Sequence, residues 1–143
     1  MQEALDLAHE AFSKEEVPIG AVLISNDIVV GRGFNQTLSR SSVIAHAELI
    51  AIEDASKNIG NHRLVNTILF STIEPCHMCA KAIIDARISH IIFGAREPKS
   101  GSIISVDNFL ESTFHNHNVS FEEGILKDEC KEIIQRFFRT RRN

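Results

Sequence analysis

Residues 67–94, TILFSTIEPCHMCAKAIIDARISHIIFG, decide the fold. Thr67-Ile68-Leu69-Phe70-Ser71 is short, apolar and β-branched, the composition of a strand buried on both faces. Pro75 stands where the first turn of a helix is expected, a place that tolerates its missing N–H. The helix is predicted to run to about Ala86, and Ile88 to Gly94 repeats the buried-strand pattern. Strand, helix and strand in so short a stretch make a βαβ unit, so the two strands are predicted to be parallel.

Working outward, Met1 to Lys14 places Leu5, Ala8 and Phe12 on one helical face. Val17-Pro18-Ile19-Gly20 ends that helix and leads into a strand, Ala21 to Ile24. Ser25-Asn26-Asp27 has turn chemistry, and Ile28 to Phe34 reads as the return strand of a hairpin. A polar stretch, Asn35 to Ser42, precedes a helix expected from about Ile44 to Lys57 and closed by Asn58 and Gly60. Gly101 to Thr113 reads as part loop and part short helix. A last helix, Asp128 to about Arg141, carries Leu126, Cys130, Ile133, Ile134 and Phe137 on one stripe. The sum is a single α/β domain over residues 1–143, a sandwich around a mixed sheet.

Composition excludes several classes. With 43% apolar and 24% charged residues the chain is neither disordered nor of low complexity. No apolar run reaches the roughly 18–20 residues of a membrane span. Three cysteines cannot form a complete disulfide framework within one chain. The start, Met1-Gln2-Glu3-Ala4, lacks the basic and apolar regions of a secretory leader. A reducing, cytoplasmic setting is therefore expected, where close cysteines bind metal or do redox chemistry. The net charge of −4 gives no bulk attraction for nucleic acid. Charge is unevenly placed, however, with Arg136, Arg139, Arg141 and Arg142 crowded at the end. Cations are favoured at a helix C-terminus, which explains them without any ligand.

The sharpest chemical feature is Pro75-Cys76-His77-Met78-Cys79. Cysteines three apart on a helix share a face, and at a helix start the backbone dipole favours the thiolate. Alone, the pair is open to three readings: a redox dithiol of thioredoxin type, half of a zinc site, or two buried cysteines. The second feature is Ala45-His46-Ala47-Glu48. Residues two apart on a helix point in different directions, so His46 is expected to turn inward from the first turn while Glu48 approaches from the side. Taken together, His46, Cys76 and Cys79 supply the nitrogen and sulfur donors that zinc takes, one ion per subunit. Three protein ligands with an open fourth position describe a catalytic centre rather than a closed structural one. An unligated Glu48 can then carry a proton from water to substrate and to a leaving amine. A non-catalytic zinc module would instead need a fourth protein ligand. Cys130 falls on the apolar stripe and reads as a core residue. The angle of His77 turns it away from the cysteines, and Glu74 reads as an acceptor at the helix start.

The combination H-x-E…P-C-x-x-C is similar to the signature of the zinc-dependent nucleobase and nucleoside deaminases. Beyond it, the chain resembles the bacterial tRNA-specific adenosine deaminases throughout its length. The likeness runs through Glu16-Val17-Pro18-Ile19-Gly20-Ala21-Val22, Gly31-Arg32-Gly33-Phe34-Asn35, Phe93-Gly94-Ala95-Arg96-Glu97-Pro98-Lys99, Gly124-Ile125-Leu126 and Phe137-Phe138-Arg139. The resemblance implies a cytidine-deaminase-like fold, a three-layer α/β/α sandwich with a five-stranded mixed sheet. It implies a homodimer that converts the wobble adenosine of a tRNA anticodon stem-loop to inosine. Glu48 would shuttle protons, Asn35 would hydrogen-bond the flipped base, and Asn116-His117-Asn118 would lie near the RNA. A small dry pocket for the adenine is expected at Val17, Ile19 and Ala47. The arginine-rich end gains a second reading, contact with stem phosphates. Val43-Ile44, Glu97, Ile104 and Asn118 depart from the family pattern. A deaminase of free guanine, cytosine or cytidine would keep the same metal ligands.

Overall fold

The computed structural model describes residues 1–142. Four α-helices flank one sheet: α1 (Gln2–Ser13), β1 (Gly20–Ser25), β2 (Ile28–Phe34), α2 (Ala47–Ile59), β3 (Thr67–Ile73), α3 (His77–Asp85), β4 (His90–Ala95), β5 (Ser120–Glu123) and α4 (Lys127–Arg141). The strand order is β2-β1-β3-β4-β5. β1 is antiparallel to both β2 and β3, whereas β3, β4 and β5 are mutually parallel. The βαβ unit and the mixed sheet read from the sequence are both present.

Two apolar layers sandwich the sheet. On one face Ala47, Ala51 and Ala55 of α2 and Ala80, Ile83 and Ile84 of α3 pack against Leu23, Leu69, Ile91 and Phe93. On the other, Leu5 and Ala8 of α1 meet Cys130 and Ile133 of α4. This is the three-layer α/β/α sandwich. Cys130 is fully buried here, as its stripe position predicts. Burial pushes its thiol up to about 11, helped by Glu129.

The seam between β2 and α2 is closely packed. A Cβ on Gly31 would collide with the Ala51 carbonyl and the backbone of Ala55, and one on Gly33 with the Ala47 carbonyl. Small residues on both sides let the helix lie directly on the strand backbone.

Several element limits differ from expectation for identifiable reasons. α2 begins at Ala47, not near Ile44, because Ala45 and His46 are taken up by short turns to Ser42 and Ile44. α3 begins at His77, so Pro75 precedes the helix and Cys76 is its N-cap. β4 begins at His90 because Arg87, at φ +66°, closes α3 and the Ile88 N–H returns to the Ile83 carbonyl. β5, a short edge strand with its alternate residues exposed, has no counterpart among the strands read from residue pattern. The expected short helix in 101–113 is a single 3-10 turn, Phe109–Glu111.

Candidate metal centre and the loops that frame it

Two helix starts converge at one end of the sheet. His46 caps α2 in an extended conformation, φ −77° and ψ 148°, which frees its ring from the helical face. It is therefore one residue ahead of the helix rather than inside its first turn. Cys76 caps α3 in the same way, and Cys79 follows one turn later. The His46 Nδ1 lies 3.6 Å from Cys76 Sγ and 3.4 Å from Cys79 Sγ. All three ligand atoms fall within 4.8 Å of one another.

These separations test the fit of a metal directly. Zinc bonds of about 2.3 Å to sulfur and about 2.0 Å to nitrogen in a tetrahedron require sulfur–nitrogen edges of about 3.5 Å. The observed edges match. Protonation supports the same conclusion. The Cys76 thiol is pulled down to about 4, chiefly by its hydrogen bond with Cys79 and against the effect of burial, with His46 assisting. Cys79 is pushed far upward by sharing that proton with Cys76 and by burial. The His46 imidazole is raised by its bond to Cys76. A thiolate, a thiol and an imidazole crowded together form the donor set of a metal site consistent with zinc coordination.

Glu48 is the second helical residue of α2 and only 3% exposed. Burial pushes its carboxyl up to about 7, partly opposed by its backbone and by His46. It lies beside the cluster without belonging to the three-residue ligand group. A buried acid near neutrality is suited to exchanging protons.

The other residues singled out by sequence are placed as follows. Asn35 is 4% exposed, and its N–H bonds to the Ile19 carbonyl at 3.0 Å. The next residue, Gln36, pairs with the Ala45 carbonyl at 2.9 Å, so Asn35 is adjacent to the turn that carries His46. Ala47 is fully buried at the start of α2, and Val17 and Ile19 are half-buried. Asn116 is exposed on the segment before β5. His77 does turn away from the cysteines, pairing with Asp107 at 2.9 Å. His117 bonds the Ile88 carbonyl at 2.8 Å. Most of the arginine-rich end is engaged within the protein. Arg136 lies over the Phe12 ring, Arg139 pairs with Glu132, and Arg141 lies over Phe137 and donates to the Glu15 carbonyl.

Two buried carboxylates that frame the centre lay outside the sequence reading in this role. Glu74, expected at a helix start, instead organises the segment after β4. It accepts the N–H groups of Glu97 (3.1 Å), Ile103 (3.0 Å), Ile104 (2.8 Å) and Ser105 (3.0 Å), together with the Ser105 hydroxyl. Ser102 adds backbone and hydroxyl bonds to the Pro75 carbonyl, both 2.9 Å. Glu16 does the same for the loop leading to His46, accepting the N–H groups of Leu38 (3.0 Å) and Ser39 (2.7 Å). The available signal was an acid next to an apolar residue and one or two positions ahead of a proline, Ile73-Glu74-Pro75 and Glu16-Val17-Pro18.

Comparison with known proteins accords with this geometry. The family model described as MafB19-like deaminase matches residues 1–142. The chain is 45% identical over 139 residues to a tRNA-specific adenosine deaminase of Streptococcus pyogenes serotype M1, covering 97% of this chain and 81% of that one. It is 41% identical over 143 residues to the protein of the same description from Haemophilus influenzae, covering 99% and 83%. Among solved structures, one from a study of A-to-I editing by tRNA:A34 deaminases at the wobble position superposes with a TM-score of 0.90. That structure is 39% identical and covers 93% of this chain and 96% of its own.

Proposed function

The chain belongs to the tRNA-specific adenosine deaminases, within the cytidine deaminase superfamily, and on that premise we propose that it converts adenosine to inosine at the anticodon wobble position of tRNA. The observation that carries this reading is the buried Glu48 carboxyl standing beside, and outside, a His-Cys-Cys cluster of tetrahedral dimensions.

His46, Cys76 and Cys79 would hold one zinc ion. When bound, zinc supplies the Lewis acidity that makes water nucleophilic near neutral pH. The remaining chemistry belongs to the side chains. Glu48 takes a proton from the attacking water as its oxygen bonds to C6 of the adenine. The carboxyl passes that proton to the ring nitrogen, then takes the second one from the new C6 hydroxyl and hands it to the departing amine. The C6–N bond breaks, ammonia leaves and inosine remains. A buried carboxyl whose charged form is penalised by desolvation is suited to holding and releasing a proton in turn.

Asn35 is assigned to the flipped base, and Val17 and Ala47 to the walls of its pocket. Asn116 is assigned to the RNA surface. Extrusion of the base suits an anticodon loop, whose nucleotides are already unpaired. A cytoplasmic homodimer is part of the same proposal. Leu38, Val43 and Ile44, exposed by 65%, 79% and 60%, offer an apolar surface around the His46 loop for such a contact.

The test is to incubate the zinc-loaded protein with tRNA and with free nucleosides and bases, then analyse the products. Inosine at the wobble position is the expected result. Turnover of free guanine or cytidine with the tRNA untouched would replace this reading.

A further inference from the structure

Three polar side chains line up at the start of β4 and β5, away from the metal centre. His90 pairs with Ile68 in the sheet, which places it roughly 16 Å along β3 from Ile73 and the cysteines beyond. Ser120 stands directly opposite His90 on β5, and Glu122 shares its face of the sheet. The His90 Nδ1 lies 2.6 Å from the Ser120 hydroxyl oxygen. Its Nε2 lies 3.3 Å from a carboxylate oxygen of Glu122.

One tautomer satisfies both contacts. With its proton on Nε2 the ring donates to Glu122, and Nδ1 accepts the Ser120 hydroxyl. The reverse tautomer would set a nitrogen lone pair against the carboxylate. The Ser89 carbonyl also lies within reach of the hydroxyl, but at 3.4 Å it makes the longer bond. Hydroxyl, imidazole and carboxylate in this order are the parts of an activated serine nucleophile, here with the two ring nitrogens exchanged.

The sheet adds two further parts. The Ser120 and Gly124 N–H groups bond to carbonyls of Ser89 and Phe93. Alternation along a parallel ladder therefore turns the Phe121 N–H to the open edge that β5 forms. That donor is one residue after the serine, where an oxyanion would form. The neighbouring surface is apolar. Ile68, Phe70 and Ile92 share the face of His90 and are only half-buried. The helices on this side lie over the other end of the sheet, where a Cβ on Gly20 would meet Ala4 and Ala8, and one on Gly94 would meet Cys130.

We infer that Ser120, His90 and Glu122 form a second, esterolytic site that takes carboxylic esters with a short apolar acyl chain. The Ser120 Oγ bonds to the ester carbonyl carbon while its proton passes to His90 Nδ1. The bond from that carbon to the alcohol oxygen breaks, and the departing alcohol takes the proton. Water then attacks the acyl-serine and gives a proton to Nδ1. The carboxylic acid leaves, and Ser120 recovers its proton from the ring. Glu122 is a positioning residue, which holds the imidazole and stabilises its charged form. The acyl chain lies on Ile92 and Phe70, which flank Glu122 in register.

The probes are p-nitrophenyl butyrate and an alkyl fluorophosphonate, both applied to the zinc-loaded protein. Release of nitrophenol is expected, together with a phosphonyl group on Ser120 located by peptide mass mapping. Ser120→Ala and His90→Ala should each lower ester turnover about 10²-fold or more. Glu122→Gln should lower kcat roughly fivefold with KM unchanged, because this carboxylate is exposed to water. Urea melts of Ser120→Ala should match wild type, since the side chain is exposed. Labelling of the wild-type protein is read without any variant, so a variant that folds poorly does not decide the result. Ester turnover by Ser120→Ala at the wild-type rate would assign the hydrolysis to the metal centre or another nucleophile and overturn the site. Wild-type protein left unlabelled at Ser120 overturns it as well.

Discussion

Gly101 lies so close to the Glu74 carboxylate that a Cβ at position 101 would overlap its Cδ and both oxygens. The carboxylate cannot swing aside, because the segment from Glu97 to Ser105 is hung on it. Gly101→Ala is therefore expected to strip buried N–H groups of their acceptor and to cost roughly 2–4 kcal/mol. Urea melts of the two proteins measure this. Wild-type stability in the variant would mean that the segment reseats freely.

The same carboxylate sets an acid limit. Burial alone would raise the Glu74 carboxyl, but the bonds from Ile104, Ser105 and Glu97 outweigh it and hold it below its ordinary 4.5. Glu16 is lowered likewise, burial being overcome by the Ser39 and Leu38 N–H groups. For such groups the unfolded chain binds protons first as pH falls. Their stabilisation is full above about pH 4.5 and is lost progressively below it. A flatter acid-denaturation profile is expected for Glu74→Gln, and an unaltered one would contradict the assignment.

Glu48 has the opposite sign. Its carboxyl is raised to about 7, so the folded state holds the proton more firmly between 4.5 and 7. That contribution is complete below pH 4.5 and is lost as pH rises through 7. In the metal-free protein Glu48→Gln should therefore gain stability over wild type on going from pH 4 to pH 8, by on the order of 3 kcal/mol. In the zinc-loaded protein the variant should keep its metal while turnover falls about 10²–10⁴-fold. Metal analysis and single-turnover assays separate the two effects.

Removal of metal should expose one reactive sulfur. Cys76 is half-buried with its thiol near 4, whereas Cys79 and Cys130 are buried and raised. Iodoacetamide at neutral pH is expected to label Cys76 alone after chelation, and no cysteine once zinc is restored. Peptide mass mapping reads the result. Equal labelling of Cys79 would show that the proton is not shared as the geometry requires.

Gly33→Ala tests whether the seam under α2 positions the centre. The new methyl group would meet the Ala47 carbonyl, one residue after His46. Overpacking of this kind costs roughly 1–3 kcal/mol. Metal affinity should fall along with the melting temperature, whereas an exposed control such as Asn58→Ala should spare the metal.

The βαβ unit was readable because its strands are buried on both faces and so appear as continuous apolar runs. The paired helix starts were readable because few chemistries need histidine and cysteine at such places. The exact positions of His46 and Cys76 were not. Each extends a helical pattern by a residue or more, and only the turns after Ser42 and the long-range bonds of the Glu74 N–H to Ala95 and of the Ser102 N–H to Pro75 fix the chain as extended there. β5 escaped pattern reading because Ser120-Phe121-Glu122-Glu123 sits at an edge and buries little. Glu16 and Glu74 look like surface acids in one dimension. Their donors lie more than twenty residues away, beyond the reach of any local rule.

In the sheet, β1 separates the strand that leads to His46 from the strand that leads to the cysteines. The donors are thirty residues apart in the chain and meet only after both neighbours have docked on β1. A nascent polypeptide released before β3 pairs would own only fragments of the donor set. Tight uptake of the ion thus reports completed long-range assembly, and metal supply during synthesis would bias the chain toward its native topology by mass action.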